Sequence, residues 1–185
     1  MPYITTYTGK HFDPTAPDKS LMDIRDIAHS LSLICRGNGH VNRFFSVAEH
    51  CIYCAKEAYL RGYGERVALA CLIHDGAEAY MSDVPRPFKR TLAGYIEAEE
   101  HMLDLIYEKF LGSLPTDEEA KLIKQIDDDL LYFDLRELLD EAPEGEEPQI
   151  MVDLNYDVIP FEQAENEYLE LFEWLTAQLE EARQL

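Results

Sequence analysis

Residues 69–89 read LACLIHDGAEAYMSDVPRPFK, and the reading of the whole chain starts from this stretch. His74 and Asp75 stand side by side in an apolar run, and Glu78 follows one turn later. Few helix breakers occur over residues 67–81, where Val67, Ala70, Cys71, His74, Ala77 and Met81 recur at helical spacing, so one helix is predicted there. At about 100° per residue Glu78 then projects between His74 and Asp75, which crowds three groups able to bind or work beside a metal ion into one place. Pro85 and Pro87 oppose continuation, making residues 83–89 a loop at the open end of that place.

Beyond it, 185 residues with 46% hydrophobic and 11% aromatic content suit a single domain over 1–185 with an ample core. Sixteen basic against 37 acidic residues give a net charge of −21, which opposes a nucleic-acid polymer or an anionic membrane as partner. No run reaches the roughly 18 to 20 apolar residues of a membrane span, and MPYITTYTGK lacks a signal-peptide core, so a cytoplasmic protein is expected. Cys35, Cys51, Cys54 and Cys71 lie in apolar, helix-like segments without a second CxxC, which predicts free thiols.

The periodicity predicts an all-α bundle, with further helices over residues 24–34, 43–61, 93–111, 116–141 and 161–182. Thr116 and Glu119 form a capping-box signature at the start of the fifth, and residues 141–148 read as an acidic loop. A minor β element is also expected: a short N-terminal strand within residues 1–12 can pair with residues 149–158, where apolar and polar positions alternate.

His50, His74, Asp75 and Asp127 lie on three predicted helices and would place two imidazoles and two carboxylates around a divalent ion. His50, in phase with Val47 and Cys54, taken alone reads more readily as a hydrogen-bonded core histidine than as a ligand. An aspartate in an apolar run such as 70–79 needs a cation, several donors or exposure at a cleft, because an unpaired buried carboxylate costs several kcal/mol. Asp127 is the inward member of its triplet, since Asp128 shares a side with Lys121 and Lys124, and Asp129 with Gln125 and Arg136. Glu78 and Asp83 are placed to orient a water or take its proton, a hydrolytic combination. Against the acidic background Arg86, Lys89 and Arg90 fall within five positions and could meet phosphate, with Arg36, His40 and Arg43 as another edge.

These residues resemble the H…HD…D motif of the HD-domain phosphohydrolase superfamily, matched by His50, by His74 with Asp75, and by Asp127. The run HDGAEAYMSDVPRPFK is similar to the subgroup of bacterial 5′-deoxynucleotidases and phage deoxynucleoside triphosphohydrolases, as are TYTG, DIAHSLSLICR and GNGH nearer the N-terminus. The resemblance covers most of residues 3–135. It implies a helical HD-domain bundle and one divalent ion (Mn²⁺, Co²⁺, Mg²⁺, Ni²⁺ or Zn²⁺) on those four ligands. It further implies that Glu78 assists the attacking water, that Asp83 supports catalysis or the sugar, and that Arg36, Lys89 and Lys124 contact phosphate. Where close relatives often place a tryptophan, this chain has Gly37.

The expected activity is hydrolysis of a (deoxy)nucleoside 5′-monophosphate. A dNTP triphosphohydrolase is the alternative within enzymes, and a nucleotide-binding or metal-stabilised scaffold the alternative outside them. A nucleotide is the expected small-molecule partner, and exposed apolar faces beyond residue 93 make a homo-oligomer an expectation too.

Overall fold

In the computed structural model, which describes residues 2–182, helix α3 (Glu65–Ile73) is the centre of the molecule. Val67 through Ile73 are buried on every side, as expected of a helix that is apolar all round. It packs against α2 (Val47–Leu60), α7 (Asp117–Leu139), α8 (Phe161–Ala182) and α6 (Tyr95–Phe110). Helix α1 (Ile24–Leu33) lies against α8 and α2. A buried bond from the Tyr168 hydroxyl of α8 to the Leu72 carbonyl (2.7 Å) pins the closing helix to α3. The fold is mostly α, as the periodicity predicts.

Local chemistry sets the ends of these elements. Ser46 and Glu49 form a reciprocal capping box that starts α2, four residues later than predicted. Thr116 and Glu119 do the same for α7, where the sequence signature placed it. Asp23 caps α1 through the Arg25 amide.

The helix predicted over residues 67–81 is broken. Helix α3 ends at Ile73, the chain turns through bonds from the Gly76 amide to the Ile73 carbonyl (2.9 Å) and from the Glu78 amide to the Asp75 carbonyl (3.0 Å), and α4 follows (Glu78–Met81). A Cβ on Gly76 would sit 2.9 Å from the Ile73 carbonyl and 3.2 Å from Ile106 Cδ1, so the tight turn against α6 requires glycine there. The segment predicted as loop after Asp83 contains one helical turn, α5 (Arg86–Lys89), with Pro87 in its first turn where a missing N–H costs nothing.

The β element is also built differently. Strand β1 (Ile4–Thr5) pairs antiparallel with β2 (His11–Phe12) across a turn whose Gly9 has φ 81°, and not with residues 149–158. That later segment forms no strand, and side chains take the place of a partner strand. The Met151 and Val152 amides donate to the fully buried Glu57 carboxylate at 2.9 and 2.7 Å, and the Asn155 amide donates to the Tyr53 hydroxyl at 3.1 Å. Alternation reports a half-buried extended chain and not what satisfies its backbone.

Candidate metal centre

Helix α2 delivers His50 to the interior, 1% exposed, and the end of α3 delivers His74 and Asp75 opposite it. Asp127 comes from the middle of α7. His50 Nε2 lies 3.2 Å from Asp127 Oδ1, and His74 Nε2 lies 3.4 Å from Asp75 Oδ1 and 3.7 Å from Asp127 Oδ1. The four predicted ligands therefore converge. Donors sharing one ion at about 2.0 to 2.2 Å stand roughly 3 to 3.5 Å apart for octahedral to tetrahedral angles, close to these separations.

The far side of each ring is fixed. His50 Nδ1 donates to Asp134 Oδ2 (2.9 Å) and His74 Nδ1 to the Cys71 carbonyl (2.7 Å), which orients both Nε2 atoms toward the carboxylates. His74 Nε2 is buried and makes no hydrogen bond among the described residues. A buried nitrogen held in that way fits a cation, and so does the mixed imidazole and carboxylate donor set. Side chains able to hold a divalent ion are thus gathered here, including a group of His50, Cys54 and His74.

Electrostatics agree with an acidic pocket built for positive charge. Burial opposes charging of His74, and burial together with Arg36 opposes it at His50. Cys54, Asp134 and Asp127 around His50, and Asp75, Cys51 and Asp127 around His74, nevertheless hold both pKa values well above the ordinary value. An ion would compete with those protons for the same lone pairs. Arg36 works against its own burial in the same way and stays charged beside Asp134, Asp75, Asp127 and Glu78. Glu78 is pushed well up by burial and then by Asp75 and Asp83, and one of its oxygens has no hydrogen-bond partner among the described residues. Asp83 is raised mainly by burial.

The centre opens into a cleft of about 450 Å³, within the usual range for a small-molecule site. Asp75, Glu78, Asp83, Asp127 and Asp134 line its floor; Arg36, His40, Arg86 and Lys89 supply the basic groups of its wall; Leu131, Leu135, Leu138 and Leu139 of α7 form an apolar side. Arg86 reaches Asp127 (3.3 Å), and Lys89 is paired with Glu99 (2.6 Å). Lys124 requires correction. It is bound to Asp128 at 2.7 Å, 61% exposed, and is absent from this cleft, because it lies on the outer face of α7. Arg43 is likewise exposed and bonded to Asn42, and Arg90 does not line the cleft. Of the aspartate triplet, Asp128 faces out as read, and Asp129 pairs with Arg61 (2.8 Å).

Arg36 is positioned by the segment between α1 and α2, which is closed by bonds from the Arg36 amide to Phe45 and from the Val47 amide to Ile34. The Asn42 amide reaches the Leu138 carbonyl (2.7 Å) and ties this segment to the end of α7. Gly37 and Asn38 both adopt left-handed conformations there, φ 59° and 53°, and a Cβ at Gly37 would come within 3.3 Å of Val41. Glycine relieves that turn, so a larger side chain at this position would need a different loop.

Asp134 is the residue of this candidate site that the sequence reading missed. It accepts from His50, from Arg36 (3.1 Å) and from the Tyr156 hydroxyl (3.0 Å), linking the segment after α7 to the centre. Its signal was its place seven residues after Asp127, which puts it on the same face of α7 two turns on. Replacing it by asparagine is expected to weaken divalent-metal affinity by about 10- to 100-fold, read by competition with a chromophoric chelator.

No family model matches the chain. It is 41% identical over 110 residues to the uncharacterized protein YfdR of Escherichia coli K12, a match covering 60% of this chain and 59% of that protein. It is 33% identical over 109 residues to an uncharacterized protein of Rhodobacter capsulatus, covering 56% of this chain and 55% of the relative. The chain therefore matches somewhat over half the length of each of these curated relatives, neither of which carries a named activity.

Proposed function

We propose that the chain is an HD-type metal-dependent phosphohydrolase that cleaves phosphate from a nucleoside 5′-monophosphate, with deoxynucleotides the expected class. The observation carrying this reading is that Asp75 and Asp127, which meet His50 and His74 in one cluster, also line a cleft shared with the cations Arg36, Arg86 and Lys89 and an apolar wall on α7. A divalent ion held by those four residues would supply Lewis-acid polarisation and a water of lowered pKa.

The remaining work falls to the chain. Arg36, fixed by Asp134 and by Asp75 (3.7 Å), offers a preorganised charge toward phosphoryl oxygens, and Lys89 and Arg86 add further charges from α5, paired with Glu99 and Asp127. Glu78, its pKa raised by burial and then by its acidic neighbours, is placed to take or return a proton, with Asp83 beside it in the cleft. The leucines of α7 can cover the nucleoside. Arg86, Lys89, Arg90 and Lys124 together would be generous for a single phosphate and suit a triphosphate, but Arg90 and Lys124 do not line the cleft, which supports the monophosphate.

The test is a panel of ribo- and deoxynucleoside mono- and triphosphates with Mn²⁺, Co²⁺, Mg²⁺, Ni²⁺ or Zn²⁺, with identification of the released anion. Orthophosphate from monophosphates is expected. Inorganic triphosphate would shift the reading to the triphosphohydrolase, and no turnover with any ion would leave the scaffold.

A further inference from the structure

The motif resemblance assigns four ligands, all nitrogen or oxygen, yet a sulfur atom sits among them. Cys54 follows His50 by one turn of α2, so it shares that helix's buried face and is itself 1% exposed. Its Sγ lies 3.4 Å from His50 Nε2, the ring atom that faces Asp127. A nitrogen from each of His50 and His74 and the Cys54 sulfur all fall within 4.8 Å of one another. His74 points independently to a ligand here, since its side chain is 8% exposed and its Nε2 makes no hydrogen bond among the described residues.

We infer that Cys54 is a sulfur donor of the metal centre, giving it a His50, His74 and Cys54 face that takes a borderline divalent ion such as Co²⁺ or Zn²⁺ in preference to Mg²⁺. This rests on the metal centre described above and adds a ligand to it. A metal–sulfur bond near 2.3 Å and a metal–nitrogen bond near 2.0 to 2.1 Å at a tetrahedral angle separate the two donors by about 3.5 Å, and the observed separation is 3.4 Å. On binding, the thiol proton leaves to solvent as the metal–sulfur bond forms. Thiolate favours the softer divalent ions, whereas carboxylates alone serve Mg²⁺ and Mn²⁺. Cys51 does not share this role. It approaches His74 from the Nδ1 side at 3.9 Å, and that nitrogen is committed to the Cys71 carbonyl.

An optical titration of the metal-free full chain with Co²⁺ tests this without any substrate. Bound Co²⁺ gives visible d–d bands, and a thiolate on the ion adds a near-ultraviolet charge-transfer band. The wild type is expected to show both, Cys54→Ser and Cys54→Ala to lose the charge-transfer band while keeping d–d bands, and Cys51→Ala to keep both. Wild-type d–d bands without the charge-transfer band would overturn the sulfur ligand and leave the centre standing, with Cys54 merely a hydrogen-bond partner of His50. A charge-transfer band that disappears with Cys51 instead would also overturn it. Failure of the wild type to bind Co²⁺ at all would overturn both the ligand and the centre. The wild-type and Cys51→Ala spectra together decide even if a Cys54 variant fails to fold: no charge-transfer band in the wild type, or its loss in Cys51→Ala, overturns the ligand, and its presence in both supports it.

Discussion

Replacing Asp127 by alanine is expected to reduce phosphate release by more than about 10³-fold, beyond the usual loss for one stabilising hydrogen-bond donor. Asp127 is the carboxylate common to both imidazoles, at 3.2 Å from His50 and 3.7 Å from His74, and Arg86 leans on its other oxygen at 3.3 Å. Its removal strips a charge from the ligand set and frees Arg86 from the cleft floor. Asp128→Ala is the matched control. That carboxylate is 48% exposed and engaged with Lys124 on the outer face of the same helix, so its loss should leave turnover near the wild-type rate. Steady-state rates of the two variants at saturating metal separate the cases. Equal losses, or a larger loss for Asp128, would contradict the orientation of α7 toward the centre.

The second large effect concerns stability. Glu57→Ala is expected to cost about 3 to 5 kcal/mol, the range for removing one partner of a buried ion pair. Glu57 is fully buried, receives the Met151 and Val152 amides, and pairs with Arg61 at 2.6 Å. Alanine leaves two backbone donors and a guanidinium without that acceptor, and it releases the segment that carries Tyr156 toward Asp134. Thermal unfolding should shift downward by roughly 10 °C or more for a chain of this size. A shift of a degree or two would mean that residues 149–158 are held by other contacts.

These two residues mark where sequence reading succeeds and where it stops. Asp127 was legible because three neighbouring aspartates on one helix cannot all face the same way, and only one shares the phase of Ile123, Ile126 and Leu130. The bundle was legible for the same reason: apolar spacing at 3.6 residues survives translation into structure. Glu57 was not, because a buried carboxylate serving the backbone of a segment almost a hundred residues away leaves no local pattern. The break at Gly76 was hidden by apolar residues on both sides of it; the closeness of Ile106, which leaves no room for a side chain there, is a contact across the fold. Lys124 shows the opposite error. It was carried into the site by resemblance, while its spacing of four from Asp128 already allowed the outer pair that forms.

The central claim is that one divalent ion sits between His50, His74, Asp75 and Asp127, and its most direct test is metal stoichiometry. The purified chain, stripped with chelator and dialysed against each of Mn²⁺, Co²⁺, Mg²⁺, Ni²⁺ and Zn²⁺, should retain about one equivalent of at least one ion by elemental mass spectrometry, and a His50→Ala, His74→Ala double variant should retain almost none. Full retention by the folded double variant, or no retention of any ion by the wild type, would contradict it.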